Sequence, residues 1–225
     1  MDEHGIETMI LSLNAPAVQA IADSTRANET ARRANDFLAE QVAKQPTRFR
    51  GFAALPMQDP ELAARELERC VKELGFVGAL VNGFSQDNRS AVPLYYDMAQ
   101  YWPFWETVQA LDVPFYLHPR NPLPSEARIY DGHAWLLGPT WAFGQETAVH
   151  ALRLMGSGLF DKYPCAENHS WTYGRRLALQ HVAYRSSQRL DQDDAQIPRQ
   201  EKDRRLLQRE LLSDDLGQLS HPDPD

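Results

Sequence analysis

One ten-residue stretch, Val113-Pro114-Phe115-Tyr116-Leu117-His118-Pro119-Arg120-Asn121-Pro122, constrains the fold more than any other part of the chain. An apolar run ends in a histidine, and prolines punctuate everything after it. That pattern predicts a buried β-strand delivering His118 at its carboxyl end, where α/β sheets and barrels keep their chemistry.

The chain upstream repeats the theme. Apolar runs at Thr8–Leu13, Arg50–Leu55 and Phe76–Val81 alternate with stretches of helical period. Ala31, Ala34, Leu38 and Val42 recur on one helical face. Asp59-Pro60 opens a further helix with a capping carboxylate and a proline whose missing N–H costs nothing there. Ala63, Leu67, Cys70, Val71 and Leu74 form its apolar face, and Gly75 stops it. Pro103 begins a short helix through Leu111, and Gln145–Met155 reads as another. Between them, Pro119–Thr140 has no periodicity, and a loop of that length is expected to be a lid or binding loop.

The strands are continuous apolar runs, as in parallel strands covered on both faces. β-α-β units in series give an open doubly wound sheet or a barrel. No glycine-rich phosphate turn follows any strand, which disfavours nucleotide binding. The barrel is the preferred reading, with about four strand-helix units of a (β/α)8 TIM-type fold in residues 1–164. After Pro164 no strand pattern remains. Residues 165–225 read as an irregular or partly helical tail, with a leucine-lined face over about 199–212 and a disordered end from Ser220.

The net charge of −8 and the lack of a basic run argue against nucleic acid as a partner. No apolar stretch is long enough to span a bilayer, and Met1-Asp2-Glu3 is no signal peptide. The expectation is a soluble cytoplasmic protein. Two cysteines are too few for a disulfide framework or a cysteine-based zinc site.

His118 is the best-placed candidate for chemistry, yet a metal needs three or four protein ligands. Asp2-Glu3-His4 offers ligand types, but no apolar strand precedes it. His150 falls mid-helix and His133 in the long loop. Asn82 ends a strand on the same face as His118, where a short amide either orients a substrate oxygen or serves an ordinary Asn-Gly turn. Trp135 and Trp141 either wall an aromatic pocket or pack the loop, with packing preferred.

Five runs carry a resemblance: HGIETMILSLNAPAVQA, GFVGALVNGFSQ, VPFYLHPRNPLP, RIYDGHAWLLGPTWAF and QETAVHALRLM. From Gly5 to about Pro164 the chain closely resembles the γ-resorcylate (2,6-dihydroxybenzoate) decarboxylase family of the metal-dependent amidohydrolase superfamily. The resemblance implies a carboxy-lyase that releases CO2 from a small aromatic acid with the help of a divalent metal ion, Zn or Mn. It implies a homo-oligomer in intact members. It makes His118 the metal ligand, and Asn82 and Ala17 substrate-pocket residues.

The departures are equally specific. The family's first strand carries a Glu-x-His metal pair that finds no counterpart from Met1 onward. Its Gly-His-Met-Gly-Glu motif is missing after Pro164. Yet the codons permitted from the second nucleotide of the Cys165 codon spell Ala-Leu-Lys-Ile-Ile-Leu-Gly-His-Met-Gly-Glu in the shifted frame. The glycine there is forced, because Trp171 is TGG and Thr172 begins with A. The family's catalytic histidine would then fall at Thr172, its glutamate at Arg175 and its arginine at Ala183. The expectation is therefore an out-of-frame tail, and a chain that is inactive because its site is incomplete. A superfamily hydrolase and a non-catalytic fragment are the alternatives.

Overall fold

The computed structural model describes residues 1–88, 92–164 and the backbone of 170–172. In chain order its elements are β1 (Met9–Leu11), α1 (Ser24–Ala43), β2 (Phe49–Gly51), α2 (Pro60–Lys72), β3 (Ala79–Asn82), α3 (Trp102–Leu111), β4 (Phe115–His118), α4 (Ala142–Gly156), α5 (Leu159–Lys162) and β5 (Ser170–Thr172). All strand pairs are parallel: β1 with β2, β3 with β4, and β4 with β5. A parallel bridge between Ala53 and Ala79 links the two sheets, so the strands lie side by side in sequence order.

Strands and helices alternate where the hydrophobic period changes, and the helix starts are chemically marked. The Asp23 side chain accepts from the Arg26 N–H at 2.7 Å. The Asp59 carboxylate accepts from Glu61 and Leu62 at 3.0 Å each, with Pro60 in the first turn of α2. Gly78 begins the approach to β3 at φ +154°, and a Cβ there would lie 2.5 Å from the Pro114 carbonyl oxygen. Only glycine lets these backbones pair so closely.

Phe115 is the centre of the core. Trp105 and Phe104 of α3 meet it edge-on, with centroids 4.8 and 5.7 Å away. Ala63, Leu67 and Cys70 on the predicted face of α2 are buried beside them. Burying such aromatic and aliphatic surface is the main force holding the helices to the sheet.

A buried carboxylate fastens the first helices. Glu66 of α2 is 1 % exposed and accepts from Asn35 at 2.8 Å, from Arg69 at 2.7 and 2.9 Å, and from Arg32 at 3.1 Å. Asn35 in turn pairs both ways with the Ala54 backbone at 2.9 Å. The charge is paired and every bond is to a donor, which is the condition for tolerating it inside.

The structure corrects two expectations. Ser170–Thr172 forms a strand, so the region beyond Pro164 does contribute to the sheet. Trp and Thr suit strands, and β4 offers an edge of unpaired peptide groups; strand formation here depends on backbone pairing more than on a repeating apolar pattern. Trp135 and Trp141 are both exposed and do not pack the loop down. The loop is instead a series of 3-10 turns at Ala127–Tyr130, Ala134–Leu136 and Gly138–Thr140. It is pinned by the Gly138 N–H donating to Asn121 Oδ1 at 2.7 Å and by the buried Tyr130. The expected tail helix over 199–212 and the disordered end lie outside the described residues. Among the described residues no helix is long and apolar enough to cross a membrane.

His150 of α4 is fully buried, and its Nε2 accepts the Tyr96 N–H at 3.1 Å. Burial, with Arg153 nearby, pushes its imidazole down to about 3. The unfolded chain takes up that proton near pH 6.5 and the folded chain does not. Stability from this residue is therefore complete above pH 6.5 and falls towards pH 3 by ~1.4 kcal/mol per pH unit. Urea unfolding across this range should show the wild type losing stability relative to His150→Gln as the pH drops. Parallel pH profiles for the two proteins would contradict this account.

Candidate functional site

The carboxyl ends of β3 and β4 carry the candidate site. Their register pairs Ala79 with Phe115, Leu80 with Tyr116, Val81 with Leu117 and Asn82 with His118. Side chains alternate along a strand. Ala79, Val81, Phe115 and Leu117 are buried with the helices, so Asn82 and His118 share the opposite face with Leu80 and Tyr116. The Tyr116 and His118 rings lie 6.4 Å apart on that face.

His118 is half-buried, and its Nδ1 lies 3.0 Å from the Pro119 carbonyl oxygen. A carbonyl only accepts, so Nδ1 carries the hydrogen and Nε2 keeps its lone pair. Metal-binding histidines are typically oriented this way, by a bond from the other ring nitrogen. Burial lowers the imidazole pKa, partly offset by the Pro119 bond, which favours the neutral form that a metal requires.

Asn82 is 1 % exposed. Its backbone N–H donates to Gln19 Oε1 at 3.1 Å, and its Nδ2 reaches the Leu13 carbonyl at 3.5 Å. Its Oδ1 is buried with no partner. An orphaned acceptor is costly unless something outside the chain satisfies it.

Ala17 opens a 3-10 turn, Ala17–Ala20, in the loop after β1, with φ at +46°. Two buried glutamines hold that turn over the strand ends. Gln19 Nε2 donates to the Leu55 carbonyl at 2.9 Å while its Oε1 accepts from Asn82. Gln58 Nε2 donates to the Val18 and Ile21 carbonyls at 2.6 and 2.8 Å. The sequence reading missed both glutamines. Their partners lie 36 to 63 residues away for Gln19, and no local pattern marks such bonds.

The other described histidines take no part. Asp2–His4 forms an exposed turn before β1, towards its amino end and away from His118. His133 is exposed against Trp135, and His150 is the core acceptor described above. Among the described residues no group of three or more His, Cys, Asp or Glu side chains is arranged to hold a metal. His118 fits a metal as one ligand, and the described residues do not complete a centre around it.

A family model described as Amidohydrolase matches residues 8–166. The γ-resorcylate decarboxylase of Polaromonas sp. strain JS666 is 99% identical over 164 residues, covering 73% of this chain and 50% of that protein. A crystal structure of a dihydroxybenzoic acid decarboxylase from Polaromonas sp. JS666, with bound manganese and the inhibitor 2-nitroresorcinol, superposes with a TM-score of 0.75. It shares 85% identity and covers 88% of this chain and 58% of that one. The 2,6-dihydroxybenzoate decarboxylase from Rhizobium gives a TM-score of 0.76 at 63% identity, covering 88% and 59%. The chain spans about half the length of the curated relatives it matches.

Gln19→Ala should destabilise the protein by about 2–6 kcal/mol, since it strips partners from two buried backbone groups at ~1–3 kcal/mol each. Denaturant unfolding measures the cost. A loss below ~0.5 kcal/mol would mean that the Gln19 bridge does not hold the site together.

Proposed function

The chain belongs to the amidohydrolase family, and from that membership we propose that it carries one corner of a metal-dependent carboxy-lyase site acting on γ-resorcylate to give resorcinol and CO2. In this reading residues 1–164 are about four strand-helix units of a (β/α)8 barrel, and residues 165–225 are largely the out-of-frame translation of the next stretch of a decarboxylase gene. The observation that carries the reading is the pairing of His118 with Asn82 at adjacent strand ends. One presents a free Nε2 and the other a buried, unpartnered Oδ1.

Each residue has a definite task. His118 Nε2 holds the divalent ion, manganese or zinc; manganese is what the Polaromonas relative's crystal structure contains. When bound, such an ion supplies positive charge for the oxygens of an aromatic acid. Asn82 Oδ1 accepts from a ring hydroxyl and so fixes the ring's orientation. The methyl side chain of Ala17 leaves room for the ring above the strand ends. The remaining ligands and the proton donor belong to the parts of the fold that residues 1–164 do not supply. The identity to the Polaromonas enzyme extends over 164 residues, the number that precedes Cys165, which supports placing the frame change there. Assembly as a homo-oligomer and a cytoplasmic location are part of the same proposal.

The nucleotides around codon 164 and upstream of Met1 test the reading directly. The chain as written should release no CO2 from 2,6-dihydroxybenzoate with added manganese. The same gene with its frame restored after codon 164 and its upstream coding sequence included should do so, and His118→Ala should lower that rate by more than about 100-fold. An intact frame at codon 164 would refute the tail assignment. Turnover by the chain as written that survives chelation and His118→Ala would refute the site.

A further inference from the structure

One carboxylate on α4 plays no part in the candidate site. Glu146 is 9 % exposed, and the Tyr95 hydroxyl donates to its Oε1 at 2.6 Å. Among the described residues no donor reaches Oε2. Arg120 and Arg153 act on Glu146 through space, but both guanidinium groups are engaged elsewhere. Arg120 donates to the Phe84 carbonyl at 2.7 Å and to Gln86 Oε1 at 3.1 Å, and Arg153 pairs with Asp97 at 2.9 and 3.1 Å. Burial raises the Glu146 pKa, and Glu126 adds to the rise against the opposing pull of Tyr95, Arg120 and Arg153. The two cations thus compensate this carboxylate only from a distance.

Glu146 lines a cavity of about 110 Å³ between α4 and the loop after β4. Ala142, Glu146 and Val149 recur at three- and four-residue spacing, so one helical face supplies one wall. Pro122 and the buried Tyr130 supply the other. The Tyr130 hydroxyl and Trp141 Nε1 both donate to Gln145 Oε1. That amide oxygen is therefore used, and the strongest acceptors left in the cavity are the carboxylates of Glu146 and the exposed Glu126. At the mouth stand Ile129, 67 % exposed, and Val149, 43 % exposed. A metal ion needs more protein ligands than these two carboxylates, and among the described residues no group of three or more is arranged to hold one. A buried carboxylate inside an apolar rim suits a cation that carries its own apolar stem.

We propose that this cavity binds a primary alkylammonium group, free or at the end of a lysine side chain, with the ammonium on Glu146 and the stem against Ile129 and Val149. An ammonium has three N–H donors; Glu146 Oε2 takes one and Glu126 offers a second acceptor. The site uses neither His118 nor a metal, so it stands or falls apart from the decarboxylase reading.

The test is titration of n-butylammonium, n-butanol and Nα-acetyl-lysine amide into the full chain in EDTA at about pH 8, where an alkylamine is protonated. Calorimetry or ligand-observed NMR reads the binding. n-Butylammonium should bind at millimolar concentration, and n-butanol, with the same stem and no charge, at least about tenfold more weakly. Glu146→Gln should weaken n-butylammonium binding by at least about tenfold, and His118→Ala should leave it unchanged. If Glu146→Gln also lowers the melting temperature, Val149→Lys decides. That exposed position lies three residues along α4, and an ammonium placed there should fill the cavity and block n-butylammonium without disturbing the fold. Tighter binding of Nα-acetyl-lysine amide than of n-butylammonium assigns the site to a protein's lysine side chain, and weaker binding assigns it to a free amine. Equal binding of n-butanol and n-butylammonium, no n-butylammonium binding at millimolar concentration, or binding undiminished in Glu146→Gln overturns the proposal.

Discussion

Parallel pairing of β3 with β4 in a single register is the constraint on which the rest of the structure depends. With Ala79 beside Phe115, the alternation of the strands sends Val81 and Leu117 into the helix-covered core and leaves Asn82 and His118 together on the other face. A slip of one residue would turn His118 towards Trp105 and expose Phe115. The aromatic contacts of Phe115 with Phe104 and Trp105 oppose that slip, as does the approach of Gly78 to the Pro114 carbonyl. Packing on one face of the sheet thus fixes which chemistry appears on the other.

Polar burial is used in two opposite ways. Glu66 sits among Asn35, Arg32 and Arg69 with its charge compensated inside the fold, and it fastens α1 to α2. Tyr96 works similarly without charge. Its hydroxyl donates to the Gly83 carbonyl at 2.6 Å, and its backbone joins His150 and Trp105. Near the strand ends the compensation is withheld. Asn82 Oδ1 has no partner, and His118 keeps a free Nε2. Uncompensated polar groups are expensive, and the one at Asn82 lies on the face where a ligand can satisfy it.

Much of this was legible in the sequence, and the exceptions share a cause. The helix after Asp59, the apolar face of Ala31, Ala34, Leu38 and Val42, and the run ending at His118 announce themselves through a cap or an apolar period, because those signals arise within a few residues. Gln19, Gln58 and His150 carry no such signal. Their bonds join residues that the chain brings together only after folding, and a buried glutamine looks in sequence like a surface one. Trp135 and Trp141 mislead in the other direction: their size suggests packing, but the 3-10 turns leave both rings exposed. β5 was missed because strand addition depends on an available edge at β4, which is a property of the fold and not of residues 170–172.

The described residues hold no cluster of three or more metal-ligand side chains, and this has a physical consequence for the fold itself. A full metal centre gathers several anionic or basic ligands at one point, and without its ion such a cluster is held apart only by the stiffness of the surrounding strands. Strands β1 to β4 end in Leu11, Gly51, Asn82 and His118, of which only His118 is an imidazole, thiolate or carboxylate ligand. Burial favours its neutral form, and Asn82 is uncharged, so no like-charge repulsion acts across this corner. The parallel sheet of residues 1–164 therefore owes its register to Phe115, Gly78 and the glutamine bridges rather than to an ion. That separation of scaffold from ligand set explains how the described residues can present a well-oriented histidine without a cluster of three or more metal-ligand side chains around it.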